Sequence, residues 1–281
     1  MRHRHWIATS AMALPLAVLI AGCAADSGAR APNPMAPAGL IGAPPAPDRP
    51  TAYLAPAESP DGMALIPAPP APGSAALARD LEGARQALAI RGSARWTLAA
   101  ADAELFTPTA TTTMACAASR QIDAKTTPAT FRLLTRAAID FSNSTASAKN
   151  HYARPRPFME NGQPSCTPEA ETYLRKNGSY PSGHSAIGYG WGLVLAELIP
   201  DRTTALVARG RSFGDSRRVC NVHWLSDTEE GRVTATAVFA RLQSSASFEA
   251  DLAAARRELS EAAPVAPARD CAAEAAALAA G

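Results

Sequence analysis

The sequence predicts an all-α domain running from about residue 51 to 265. Beyond Gly73 the chain falls into stretches whose apolar residues recur every three or four positions, the period of a helix with one buried face. Period-two alternation bounded by turn residues, the mark of a half-buried strand, is absent. With 281 residues, 47% of them hydrophobic, the chain can bury a core of its own.

The first stretch, SAALARDLEGARQALAI, opens on Ser74 as N-cap and spaces Leu77, Leu81, Ala84 and Leu88 along one face. The second, TPATFRLLTRAAIDFSNSTASAKN, places Thr127 and Pro128 at the cap and first turn and continues through Phe131, Leu134 and Ile139 to the lysine near its end. SGHSAIGYGWGLVLAELIP runs into Pro200, and RTTALVARGRSFGDSR follows it. LSDTEEGRVTATAVFARLQ and SFEADLAAARREL complete the set. Residues 266–281 are Ala-rich and are expected to form a loosely held tail.

The amino terminus speaks for export. Arg2 and Arg4 with His3 and His5 precede an apolar stretch, Trp6 to Ala21, too short for a comfortable membrane span. Residues 1–22 thus read as a signal peptide. It ends in IAGC, which resembles the lipobox of bacterial lipoproteins, with Cys23 as the lipidated residue; an ordinary signal peptide that contains a cysteine is the alternative. Ala24, where an inner-membrane retention signal would have Asp, favours an outer-membrane lipoprotein of the periplasm or cell envelope. Residues 23–50, rich in Ala and Pro, read as a tether. Extended as polyproline II at about 3.1 Å per residue, it would reach on the order of 80 Å; a poorly ordered leader with no spacing role is the alternative. The proline cluster from Pro67 to Pro72 is expected to pack on the domain as its entry segment. No later segment has the length of a membrane span, so membrane contact is expected through the anchor only.

The net charge of +2 comes from nearly balanced acids and bases without a long basic run, which argues against nucleic acid as a partner. Oligomeric state is not legible.

Three segments concentrate residues that handle oxyanions. In KNHYARPRP, Pro155 and Pro157 push Arg154 and Arg156 into an extended turn behind Lys149, where guanidinium forks suit a tetrahedral anion; a solvated basic loop is the plainer alternative. In GSYPSGHSA, Gly178 and Pro181 make a turn, Ser182 offers a hydroxyl, and Gly183 lets backbone approach a ligand at a helix N-terminus. His184 follows, placed to give a proton to a leaving oxygen; an N-capping Ser beside a surface His is the alternative. In SRRVCNVHWLSD, His223 and Asp227 are four apart, so on one helix they would share a face and Asp227 would accept the imidazole N–H, a pairing that is also common in purely structural roles. Cysteines 116, 166, 220 and 271 are an even set for an oxidising compartment. The expected pairs are Cys166–Cys220 and Cys116–Cys271, because Cys166 and Cys220 border segments that must converge.

Taken together, Lys149 with Arg156-Pro157 seven residues on, then Pro181-Ser182-Gly183-His184, then Ser216-Arg217 with His223 and Asp227, resemble in full the three-part signature of the type 2 phosphatidic-acid phosphatase superfamily, which includes vanadium haloperoxidases. The longer strings RPRPF, GSYPSGHS and HWLSD are similar to those of bacterial class A non-specific acid phosphatases, which carry Thr where this chain has Ser185. The resemblance spans about Tyr53 to Leu259 and implies the helical bundle of that superfamily. It further implies that His223 attacks phosphorus and forms a phosphohistidine, that Asp227 orients it, and that His184 serves as general acid and then base. Lys149, Arg156, Ser182, Gly183 and Arg217 would hold the phosphoryl oxygens. The substrates implied are small phosphomonoesters, with phosphate also passed to alcohol acceptors, at acid pH; no metal or other cofactor is implied, and vanadate is expected to inhibit. A vanadium-dependent haloperoxidase and a non-catalytic anion-binding envelope lipoprotein are the alternatives. Ser182 lacks the G-x-S-x-G setting of a serine hydrolase.

Overall fold

The structure is a computed structural model that describes residues 50–105 and 107–280. The signal peptide, the Cys23 anchor and all but the last residue of the tether lie outside the described residues. Among those described there is no strand, and the chain runs through α1 (Gly62–Leu65), α2 (Ala75–Ala89), α3 (Ala94–Ala101), α4 (Ala115–Ala118), α5 (Pro128–Asn143), α6 (Ala146–Tyr152) and α7 (Pro157–Asn161). It continues through α8 (Glu171–Leu174), α9 (Gly183–Leu198), α10 (Thr203–Val219), α11 (Leu225–Leu242), α12 (Ala246–Glu261) and α13 (Cys271–Ala279). No helix among the described residues is long and apolar enough to cross a membrane.

Helix α9 is apolar on nearly every face, as a central helix must be, and packs against α5, α10, α11 and α12. Trp191 at its middle is fully buried beside Phe213, and its indole N–H donates to the Leu134 carbonyl at 2.9 Å. Helices α9 and α10 approach closely because Gly210 has no side chain: a Cβ there would stand 2.7 Å from the Gly188 carbonyl oxygen.

Ser74 caps α2 as expected, its Oγ accepting the Leu77 N–H at 3.1 Å. Thr127 does not cap α5 with its side chain; its hydroxyl accepts the Asp123 N–H instead. The cap comes from the Glu258 carboxylate of α12, which accepts the Ala129 and Thr130 N–H groups at 2.8 and 2.9 Å. The stretch 127–150, expected as one helix, is two. At the break Ser144 and Thr145 hydroxyls bind back to the carbonyls of Phe141 and Ser142, competing with the helical ladder.

The end of the chain also departs from expectation. Residues 266–280 are not a loose tail, because α13 is joined to α4 by the Cys116–Cys271 disulfide, closing a sequence separation of 155 residues. Buried Arg209 reaches Glu274 of α13 at 3.1 Å, and the Ala268 N–H donates to Gln121 Oε1 at 2.9 Å. At the other end the Tyr53 and Leu54 N–H groups donate to the Asp140 carboxylate at 2.9 and 3.0 Å, pinning the entry to α5.

Candidate active site

The three segments singled out in the sequence converge at the start of α9. Lys149 lies in the last turn of α6, Arg156 stands at the N-cap position of α7, Ser182 caps α9, Arg217 is in the last turn of α10, and Asp227 is in the first turn of α11. Lys149, Arg156, Ser182, Arg217, His223 and Asp227 are each no more than 2% exposed, whereas His184 is partly exposed. Two contacts lock the junction: the Ser182 N–H donates to the Asp227 carbonyl at 2.8 Å, and a Cβ on Gly231 would collide with the Ser182 carbonyl oxygen.

His223 does not sit on a helix with Asp227. It precedes α11, in a loop that the Cys166–Cys220 disulfide, the Cys166 N–H to Cys220 carbonyl bond and the left-handed Asn221 hold in place. Its backbone N–H and that of Val222 both reach the Arg217 carbonyl at 3.2 Å. Asp227 works as an N-terminal capping residue: Oδ2 accepts the Trp224 N–H at 2.9 Å and the His223 Nδ1–H at 3.1 Å. The expected pair therefore meets through a helix cap rather than across a helix face.

The tautomer of His223 follows from its neighbours. Arg156 Nη1 lies 3.0 Å from Nε2, and a guanidinium can only donate, so Nε2 carries the lone pair and Nδ1 the proton given to Asp227. The imidazole is thus unprotonated at Nε2, whose lone pair accepts from Arg156. His184 has the complementary arrangement: its Nε2 lies 3.0 Å from the Ala103 carbonyl, which can only accept, so Nε2 carries hydrogen and Nδ1 is the free position.

The cations are held by backbone carbonyls rather than by matching carboxylates. Lys149 Nζ donates to the Gly178 carbonyl at 2.8 Å, and Arg156 donates to those of Leu174, Asn177 and Val222 at 3.0–3.2 Å. Arg217 is different again, since its Nε and Nη1 are buried without a hydrogen-bond partner. Ser182 Oγ accepts from the Ser185 N–H and hydroxyl at 3.2 and 2.9 Å, which leaves its own proton to donate.

This crowding of positive charge shows in the protonation equilibria. Burial, then the charges of Arg156, Lys149 and Arg217, hold His223 well below the ordinary imidazole range. Burial and Arg217 do the same to His184, against the bond to Ala103. Lys149 is pulled well below the usual ammonium range by burial and Arg156, Arg156 falls to about 10 through burial, and Arg217 falls to about 9 through burial and Arg156. Burial raises Asp227, with Arg154 the chief opposing charge. A buried pocket with three basic side chains, two neutral imidazoles and one carboxylate calls for an anion, and unpaired Arg217 donors specify one that accepts hydrogen bonds.

Arg154, read from the sequence beside Arg156 as an anion-binding candidate, is already paired. Its guanidinium is engaged by Asp227 and Asp80, each at 2.7 Å. The sequence reading missed Asp80, Ser226 and the Ala103 carbonyl. Asp80 sits in α2 among residues that read as ordinary helix surface, and a backbone carbonyl carries no sequence signal at all.

Residues 129–247 match the family model of the PAP2 superfamily. The non-specific acid phosphatase of Salmonella typhimurium is 40% identical over 210 residues, covering 74% of this chain and 84% of the relative. An acid phosphatase of Zymomonas mobilis is 39% identical over 202 residues, covering 72% and 76%. The non-specific acid phosphatase of Providencia stuartii is 35% identical over 210 residues, covering 74% and 85%.

Proposed function

This chain belongs to the PAP2 superfamily, among its acid phosphatases, and from that premise we propose that it is an exported enzyme that hydrolyses phosphomonoesters through a phosphohistidine on His223. The observation that carries the chemistry is the pairing of unpartnered Arg217 donors with a His223 whose Nε2 lone pair lies beside Arg156. Phosphoryl transfer asks chiefly for charge placement and in-line geometry, and three buried basic groups around His223 support the first.

In this mechanism His223 Nε2 attacks phosphorus while the bond to the leaving alkoxide oxygen breaks. Asp227 stabilises the imidazolium character that develops on the ring. His184 Nδ1 gives its proton to the leaving oxygen, then takes one from the water that attacks the phosphohistidine, so the proton count closes over the cycle. His184 must be protonated at the first step although the pocket cations disfavour it. The substrate phosphate supplies the negative charge that restores its affinity for a proton, which ties acid readiness to substrate binding. Lys149, Arg156 and Arg217, with the Ser182 hydroxyl and the Gly183 N–H, hold the equatorial oxygens.

Export is supported by the basic and apolar start of the chain and by two disulfides in the described domain. The IAGC string supports anchoring through a lipid on Cys23.

The test is hydrolysis of p-nitrophenyl phosphate by the purified chain at mildly acid pH with a chelator present, beside His223→Ala. Chelator-resistant turnover that disappears in the mutant, together with inhibition by vanadate, is the expected result. A folded wild type that does not turn over, or a His223→Ala variant that keeps its rate, would overturn the proposal.

A further inference from the structure

Arg154 has the same proline-flanked setting as Arg156 and a different task. Its side chain is 10% exposed and lies against the rings of Trp224 and Tyr180, at 5.3 and 5.9 Å from their centres. Nη1 donates to Asp227 Oδ1 at 2.7 Å and to Ser226 Oγ at 2.9 Å, and Nη2 donates to Asp80 Oδ2 at 2.7 Å. Asp80 is 1% exposed, and it also accepts the Ser226 N–H at 2.8 Å and the Ser226 hydroxyl at 2.7 Å. One guanidinium is therefore divided between two buried carboxylates, and one of these, Asp227, holds the Nδ1–H of His223.

We propose that Arg154 and Asp80 are positioning residues for phosphoryl transfer: Arg154 keeps Asp227 an ionised acceptor for His223 in acid solution, and Asp80 sets how much of the Arg154 charge Asp227 receives. The inference rests on His223 being the nucleophile. A protonated Asp227 would lose the charge that stabilises the developing imidazolium; burial raises its proton affinity, and the Arg154 charge opposes this. The charged and titratable groups facing Asp227 are Asp80 from α2, Lys149 from α6, Arg154 and Arg156 from the segment after it, Tyr180 before α9, and His223. Among them only Arg154 is ion-paired to the Asp227 oxygen that does not face His223.

The signs follow from Coulomb's law. Removing the Arg154 charge makes both Asp227 and His223 easier to protonate, so the acid limb of kcat/KM moves to higher pH. Removing the Asp80 charge does the opposite and leaves the guanidinium undivided. The two groups titrate as a pair, so the limb belongs to both.

The experiment measures kcat, KM and inhibition by inorganic phosphate across about pH 4 to 7 for the full chain and its Arg154→Gln, Arg154→Lys and Asp80→Asn variants. Arg154→Gln is expected to raise the acid limb by about one pH unit and lower kcat about tenfold, with KM and phosphate inhibition within about twofold. Arg154→Lys should recover most of the limb position, and Asp80→Asn should move it by a few tenths of a unit toward acid. An unmoved limb in folded variants would overturn the inference, as would a loss confined to KM, which would make Arg154 a substrate ligand. Displacement of Arg154→Gln and Asp80→Asn in the same direction would also overturn it, since that marks a packing role. If Arg154→Gln does not fold, Asp80→Asn decides: an acid-ward limb supports the inference and an unmoved one overturns it. A wild type without turnover would fell the phosphatase proposal and this one with it, whereas an active wild type whose variants keep its profile fells this one alone.

Discussion

Two arginines on α10, eight residues apart and about 12 Å along the axis, are buried alike and partnered very differently. Arg209 is 3% exposed and Arg217 2% exposed. Every nitrogen of Arg209 has an acceptor: Nε on Glu274, Nη1 and Nη2 on Asp102, and Nη2 also on Thr113 Oγ1. Burial lowers its proton affinity, but Asp102 and Glu274 more than reverse this and leave it raised. Arg217 has no such partners at Nε and Nη1, and burial with Arg156 nearby leaves it lowered to about 9, still a cation in acid solution. The matched charge of Arg209 ties α10 to its neighbours, whereas in the proposed mechanism the unmatched donors of Arg217 are kept for the phosphoryl oxygens.

The largest effect that would break this contrast concerns Arg209. Arg209→Met leaves the buried Asp102 carboxylate with only the Thr113 and Ser216 hydroxyls and Glu274 with Arg269 alone, and a loss of about 3–5 kcal/mol is expected in denaturant unfolding. Arg217→Met should instead leave the unfolding midpoint unchanged or raise it, while turnover falls about 100- to 1,000-fold, as when one oxyanion donor is removed. If it destabilised the chain as much as Arg209→Met does, the distinction between the two arginines would be lost.

Smaller effects sharpen it. Replacing Cys116 and Cys271 by Ser frees α13, which carries Glu274, and is expected to cost about 2–4 kcal/mol of stability with turnover of the folded protein largely kept. The Cys166→Ser and Cys220→Ser pair touches the His223 loop and should cost activity as well, which parallel unfolding and rate measurements separate.

The mildest test is the pH dependence of stability. His184 and His223 have folded proton affinities below the ordinary value of 6.5, so the unfolded chain takes up protons first as pH falls below about 6.5. Stability is therefore lost as pH falls from that value toward the lowered folded ones, at up to about 1.4 kcal/mol per pH unit for each histidine. Inorganic phosphate should shrink this loss by restoring negative charge to the pocket. Thermal unfolding against pH with and without phosphate checks it, and a His184→Gln, His223→Gln chain should show a flatter profile. A profile insensitive to phosphate would mean that the two imidazoles do not share the anion site.

What the sequence determined by itself were features set by near neighbours. Ser74 is a cap because its hydroxyl meets an N–H three residues on, and α9 is central because it is apolar on nearly every face; the family resemblance, carried by three short motifs, named Lys149, Arg156, Ser182, His184, Arg217, His223 and Asp227 as candidates. Tertiary structure decided what depends on charges and donors brought together from far along the chain. Arg154 and Arg156 are two residues apart in the same kind of turn, yet one meets Asp80 across 74 positions and the other borders His223 Nε2. The Ala-rich end gave no periodic face strong enough to predict docking, and it docks because Cys116 and Arg209 stand where α13 passes. His223 meets Asp227 without sharing a helix face because Asp227 caps α11 from the first turn, where the free N–H of Trp224 needed an acceptor. Backbone preferences act over a few residues and can be read from the chain, whereas the pairing of buried charges is settled only by which elements pack together.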